Sequence, residues 1–297
     1  MQGGLTIERM CWLSKTSRAS YYRQWREREP DEEEMSLRAE IQAIALEHPG
    51  YGEPRTTAEL RRRGWIVNPK RVARLRRLDN LVAIGKRRFR PVTTTTDPAR
   101  KVYLNVAAHL EPGGTNQLWV ADITYIRLRR EFVYLAVVLD SWSRKVIGWN
   151  LGRTLKADLP LGALRQAIET RKPPAGLVHH SDRGVQYASD EYLSLLAQHH
   201  IVPSMSRAGN PYDNARCESF MKTLKTEEIH AKQYADLDDL RRNLEMFLDI
   251  EYNRQRLHSA LGYRPPEEFE AATEVNAPTA ASMSFLRQEE IYPDATT

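Results

Sequence analysis

The spacing of apolar residues along the chain changes from a helical to a strand-like period. From Ser36 to Glu47, Leu37, Ile41, Ile44 and Ala45 recur at the 3.6-residue period of a half-buried helix. After Pro49-Gly50-Tyr51-Gly52, a second helical segment runs from Thr57 to Arg63 and stops at Gly64. Asn68-Pro69 reads as an N-cap followed by proline at the first helical position, opening a helix to about Leu78. Leu118–Ile126, Glu131–Asp140 and Lys145–Asn150 are instead rich in β-formers, and short polar breaks between them predict a three-stranded antiparallel meander. A helix from about Ala157 to Thr170 follows, ended by Pro173-Pro174. Then come a strand at Gly176–His180, a helix around Ser189–His199, a short strand at Ile201–Ser204 and two longer helices. This order predicts an α/β fold, a mixed sheet flanked by helices, preceded by a small all-α domain.

The boundaries follow from the breakers. Residues 1–90 form a helical region and 91–116 a linker marked by Thr93–Thr96, Asp97-Pro98 and Pro112-Gly113-Gly114. The α/β domain spans 117–270. Beyond it, 271–297 turns to Ala, Thr and Ser and is expected to be a loosely ordered tail.

Composition narrows the class. With 297 residues, 41% hydrophobic and 28% charged, the chain has the make-up of a soluble globular protein of two domains. An apolar run such as Tyr134–Leu139 is far too short to span a bilayer, so no membrane association is expected. Cys11 and Cys217 stand alone, which supports neither a disulfide framework nor a zinc knuckle and makes a cytoplasmic setting the default.

The net charge of +5 conceals a concentration. Between Arg55 and Lys101 lie fifteen Lys and Arg against Glu59, Asp79 and Asp97. Such an excess on one small domain attracts polyanions and makes binding salt-dependent. Val72 and Leu75 point the Asn68-capped helix to a core, leaving Lys70, Arg74 and Arg77 on another face, with Arg71 beside them. A short helix, a turn and a basic third helix is the pattern of a helix-turn-helix module. Small basic bundles also bind RNA or protein.

Three carboxylates carry the candidate chemistry. Asp122 interrupts the apolar run Leu118–Ile126, Asp182 follows Leu177-Val178-His179-His180-Ser181, and Glu218 lies early in a helix, with 35 residues between it and Asp182. A carboxylate in an apolar strand costs several kcal/mol unless compensated. A divalent cation compensates it and also supplies phosphodiester chemistry, so Mg²⁺ or Mn²⁺, as two ions, is the expected cofactor. Lys222 and Lys225, four and seven residues after Glu218, are placed to hold a DNA backbone.

These residues sit in motifs. Trp119–Tyr125, His180-Ser181-Asp182-Arg183-Gly184-Val185-Gln186-Tyr187, Ser206–Ala215 and Glu218-Ser219-Phe220-Met221-Lys222-Thr223-Leu224-Lys225 closely resemble insertion-sequence transposases. The resemblance is to the OrfB type of the IS-three family, and Tyr252-Asn253, Arg256, His258, Leu261-Gly262-Tyr263 and Pro265-Pro266 extend it. It implies an RNase H-like, retroviral-integrase-like (DDE) core with Asp122, Asp182 and Glu218 as catalytic, metal-binding triad and Lys225 as the basic residue nearby. It further implies cleavage and strand transfer on double-stranded DNA at element ends and target, by a homo-oligomer. An upstream-frame (OrfA) product, separate or fused, supplies a further helix-turn-helix and zipper. Two alternatives stay open: a stand-alone RNase H-like nuclease, and a catalytically silent DNA-binding regulator.

The remaining polar residues have plainer readings. Asp140 is expected to start a turn, Asp213-Asn214 to cap the Glu218 helix, and Cys217 to pack. His179 alternates to the sheet face away from the carboxylates, while His180 lies nearer them. Tyr252, Arg256 and His258 either contact DNA or brace the core. Trp12, Trp25 and Trp65 are expected in the small-domain core.

Overall fold

The computed structural model describes residues 6–19, 32–81, 103–182, 184–206 and 214–274. Among these, α1 (Ile7–Leu13) precedes three helices of the small domain: α2 (Glu32–Glu47), α3 (Glu53–Arg62) and α4 (Pro69–Leu78). Asn68 caps α4 as its sequence predicts, its side-chain oxygen accepting the Lys70 N–H at 2.9 Å. Leu37, Ile41 and Ile44 of α2 meet Leu60, Val67, Val72 and Leu75 in one apolar core. Trp65 packs against that core, whereas Trp12 is 68% exposed and does not belong to it; Trp25 lies outside the described residues. Arg76 is the polar tie of this domain. Buried, its guanidinium donates to Thr56 Oγ1 at 2.7 Å and to the Tyr51 carbonyl at 3.0 Å.

The larger domain is built on a five-stranded sheet in the order β3-β2-β1-β4-β5, with β1 (Leu118–Arg127), β2 (Phe132–Asp140), β3 (Val146–Gly152), β4 (Val178–Ser181) and β5 (Val202–Met205). The first three strands form the antiparallel meander; β4 and β5 join parallel to β1 through crossovers containing α5 (Asp158–Arg171) and α6 (Asp190–Gln198). Period-two alternation divides the sheet's side chains between two cores. Trp119, Ala121, Ala136 and Val138 pack with α5 and α6. Leu118, Val120, Val137 and Leu139 pack with α7 (Ala215–Leu224) and α8 (Leu237–Glu245). Each of the last two helices continues into a wider π-helical stretch, Lys225–Ile229 and Met246–Gln255, before α9 (Pro266–Glu274).

Part of the expected linker packs on this domain. The turn Val106–His109 lies on the sheet edge, where the Ala107 N–H donates to Ser204 Oγ at 3.1 Å, and Leu110 packs on the apolar core. The Asn116 N–H donates to the Asp140 carboxylate at 2.8 Å. The expected tail beyond residue 274 lies outside the described residues.

The two domains are joined by a buried seam. Leu257 enters the small-domain core, and its N–H donates to the Tyr51 hydroxyl at 2.8 Å. Beside it, Arg256 donates two bonds of 2.7 Å to the Glu227 carboxylate, and Arg55 of α3 lies 3.6 Å from the same group. A second clamp holds the sheet: the Asn253 amide both accepts from the Val146 N–H and donates to its carbonyl, each at 2.9 Å. Asn253→Ala strands both buried groups and should lower unfolding free energy by about 2 kcal/mol or more in urea titration. A loss within about 0.5 kcal/mol, typical of a surface change, would show that the clamp carries no load.

Candidate active site

The register of the sheet brings the two aspartates together. β1 and β4 pair Leu118 with Val178 and Val120 with His180. The same offset carries Asp182, one residue past β4, alongside Asp122. Leu118 and Val120 face the α7 side, and Asp122 continues that face by strict alternation. Each aspartate is held by a neighbouring amide: Asp122 Oδ1 accepts the Ile123 N–H and Asp182 Oδ1 the Gly184 N–H, both at 2.8 Å. A Cβ on Gly184 would lie 2.9 Å from that Asp182 oxygen, so a side chain there would push the carboxylate aside.

The third carboxylate comes from α7, whose start is tied to β1. Asn214 occupies the N-cap position without capping; instead its amide donates to the Ala121 carbonyl at 3.1 Å. That bond corrects the expected cap and fixes the helix start against the strand residue preceding Asp122. Asp213 lies outside the described residues. Glu218 is exposed in the first turn, and Cys217 is fully buried beneath it.

The electrostatics describe a site short of positive charge. The Asp122 carboxyl is pushed up to about 7, by burial first and then by the charge of Asp182, with a smaller push from Glu218; the Ile123 amide and Lys225 act the other way. Burial raises Asp182 as well, against the Gly184 amide. The Cys217 thiol, raised by burial, also feels all three carboxylates. Lys225 answers with its Nζ 5.3 Å from the Tyr125 ring centroid; burial lowers its pKa and Asp122 raises it. Lys222 is exposed one turn earlier. Among the described residues, no three His, Cys, Asp or Glu side chains are gathered closely enough to enclose an ion. The donor set nevertheless fits a hard divalent cation: carboxylate oxygens, too few local cations, and a neighbouring thiol kept protonated.

Other polar candidates resolve into supports. Asp140 is buried and staples a turn, its carboxylate accepting the N–H groups of Trp142 at 2.9 Å and Ser143 at 3.0 Å. His179 bonds Tyr192 on the far face of the sheet, and His180 lies between Ser204 and Ser206. Tyr252 packs edge-on to Phe220 and His258. Sequence reasoning named Asn214 only as a cap, and its bond to β1 becomes visible only in three dimensions.

The basic helix α4 is partly neutralised from within. Arg71 lies 2.8 Å from Glu33, and Arg74 lies 2.7 Å from Glu34, both acids in the first turn of α2. Lys70 and Arg77 are exposed. Arg87, Arg88 and Arg90 of the basic segment lie outside the described residues.

Comparison with known proteins matches both domains. Integrase core domain models match residues 113–211 and 199–266, and an HTH-like domain model matches 30–89. Transposase InsF for insertion sequence IS3A of Escherichia coli (strain K12) is 35% identical over 91% of this chain and 95% of its own length. The 31 kDa protein of insertion element IS600 from Shigella sonnei is 37% identical over 88% and 97%. A solved HTLV-2 integrase catalytic core domain in complex with magnesium aligns at 18% identity over 54% of this chain and 99% of that one, with a TM-score of 0.42.

Two expectations arise here. A carboxyl raised from an ordinary 3.8 to about 7 binds more protons in the folded than the unfolded state across that window, so it costs stability as pH rises through it. Asp122→Asn should therefore gain thermal stability over the unsubstituted chain at pH 8 in EDTA and not at pH 3; equal gains at both would refute the coupling. On α4, replacing Lys70 and Arg77 by Ala should flatten the salt dependence of duplex binding by roughly 2 in log–log slope. Arg74→Ala should change it less, because Glu34 already pairs that charge; an equal change would mean the ion pair opens on DNA.

Proposed function

The chain belongs to the IS-three family of insertion-sequence transposases, and from that premise we propose that Asp122, Asp182 and Glu218 form its catalytic, metal-binding triad. It is a DNA transposase, a polynucleotidyl transferase with an integrase core and an HTH-like DNA-binding domain. The observation that supports the triad is the arrangement just described: an aspartate on β1, another one residue past the adjacent β4 in the same register, and a glutamate on a helix tied to β1, all three within electrostatic reach of one buried thiol.

When bound, two Mg²⁺ or Mn²⁺ ions would activate the attacking oxygen and neutralise charge on the phosphate. The chain's own part is positioning. The aspartates are held by backbone amides, the glutamate by the anchored first turn of α7, and Lys225 stands where a phosphate oxygen adds negative charge. In the first step a water oxygen bonds to phosphorus and the 3′ oxygen leaves, freeing a 3′-OH at the element end. In the second, that hydroxyl bonds to phosphorus of the target, whose own 3′ oxygen departs. Both displacements are in line, and no bond to the protein forms. Lys222 and Lys225 hold the strand from α7, while Lys70, Arg71, Arg74 and Arg77 present the small domain to double-stranded DNA. Family membership extends the reading to a homo-oligomer on DNA and to an upstream-frame (OrfA) partner or fusion. No described helix is long and apolar enough to cross a membrane.

The test is Asp182→Asn, assayed on element-end DNA with Mg²⁺ and on a pre-nicked end for joining. Cleavage and joining should both vanish while duplex affinity stays within about twofold. Surviving activity would remove Asp182 from the site, and an unsubstituted chain that cleaves but does not join the pre-nicked end would point to a nuclease.

A further inference from the structure

Between the sheet, α7 and the domain seam lies a cavity of about 90 Å³, several times the space one water needs. Its floor is buried, formed in part by Tyr252, Arg256 and His258, while Ser219 and Ser259 at the rim are exposed. Four arginines reach its lining from separate elements: Arg55 of α3, Arg144 of the β2–β3 turn, Arg216 of α7 and Arg256 of the seam. Against them stand Asp140, whose carboxylate already accepts backbone amides, and Glu227, shared by Arg55 and Arg256. Arg216 bonds the Ser141 hydroxyl, which orients its guanidinium without neutralising it. Positive charge therefore exceeds negative in a concave, partly desolvated place.

A second observation is independent of that count. His258, only 6% exposed, lines the cavity with a ring Nε2 that has no hydrogen-bond partner among the described residues. Burial and then the charges of Arg256, Arg55 and Arg144 hold its pKa down to about 3. Its other ring nitrogen bonds the Tyr252 backbone, so Nε2 of the neutral ring is an acceptor: it cannot donate to an anion but can accept from a water held on one.

We propose that this cavity binds a backbone phosphate of the DNA strand beside the one being cut, with Arg144 and Arg216 as its principal ligands. The inference rests on the transposase reading above. Arginine forks match phosphate oxygens in paired bonds, and Ser219 at the rim supplies a hydroxyl donor. The location fits the same strand. Ser219 directly follows Glu218, and Val120 in the cavity wall precedes Asp122 by two residues on the same face, about 7 Å along β1. That span is close to the separation of neighbouring phosphates along one strand. It also gives the domain seam a function, since Arg55 brings the small domain to the phosphate that the catalytic domain reads.

Two measurements on the full chain test this. Inorganic phosphate, titrated against chloride at constant ionic strength, should raise the thermal midpoint of the unsubstituted chain and not of the Arg144→Gln/Arg216→Gln double variant. In fluorescence anisotropy with a labelled duplex, the double variant should bind about tenfold more weakly, with a log–log salt slope shallower by about 0.9 for the single lost phosphate. Arg144→Gln alone, in a surface turn, should give a smaller loss in the same direction and serves if the double variant fails to fold. Unchanged affinity and slope would overturn the proposal, as would a phosphate shift that survives substitution. A phosphate shift lost without any change in duplex binding would make the cavity a free-anion site and overturn its assignment to DNA. None of these outcomes bears on Asp182→Asn, whose retained activity would instead overturn the catalytic reading.

Discussion

Two carboxylates side by side on adjacent strands repel each other, and burial deepens the cost. Asp122 and Asp182 are placed in that relation by the parallel register of β1 and β4, which cannot slip without turning every core residue of those strands to the wrong face. The hydrophobic pattern thus enforces an electrostatically unfavourable arrangement. The result is a carboxyl raised to about 7 and a cationic neighbour, Lys225, drawn in over Tyr125. A divalent cation held there, as proposed, would relieve the same repulsion.

The remaining elements hold that arrangement in relation to DNA. Asn214 ties α7 to β1, Asn253 ties the long C-terminal helix to β3, and Arg256 with Leu257 ties the catalytic domain to the helical one. Charge follows the same division. In the helical domain much of the basic excess is spent internally: Arg63 pairs with Glu40 and Glu47, Arg71 with Glu33, and Arg74 with Glu34. Charge density along the chain therefore overstates the surface available to phosphates on α4. At the seam the opposite holds, because arginines distant in sequence converge on one cavity.

The sequence disclosed the local features whose causes are local. The Asn68-Pro69 cap, the meander from Leu118 to Asn150, the turn at Asp140 and the alternation that sends His179 away from the site all depend on neighbours within a few residues. Misreadings arose where a partner lies far along the chain. Asn214 sits where a cap belongs, yet its amide reaches Ala121. Residues 103–116 carry linker composition, yet Ala107 and Leu110 find the sheet. Trp12 is large and apolar, yet remains exposed.

By itself, then, the sequence determined the periods, the caps, the polarity of each strand face and the identity of three acids out of place in their segments. The tertiary structure decided how those acids are placed relative to one another, at what electrostatic cost, and which arginines remain to face solvent or converge on a cavity. The physical reason is range. Periodicity and capping are set by backbone geometry over one or two turns, whereas register, domain docking and the sum of charges at a point exist only once distant segments are brought within a few ångströms.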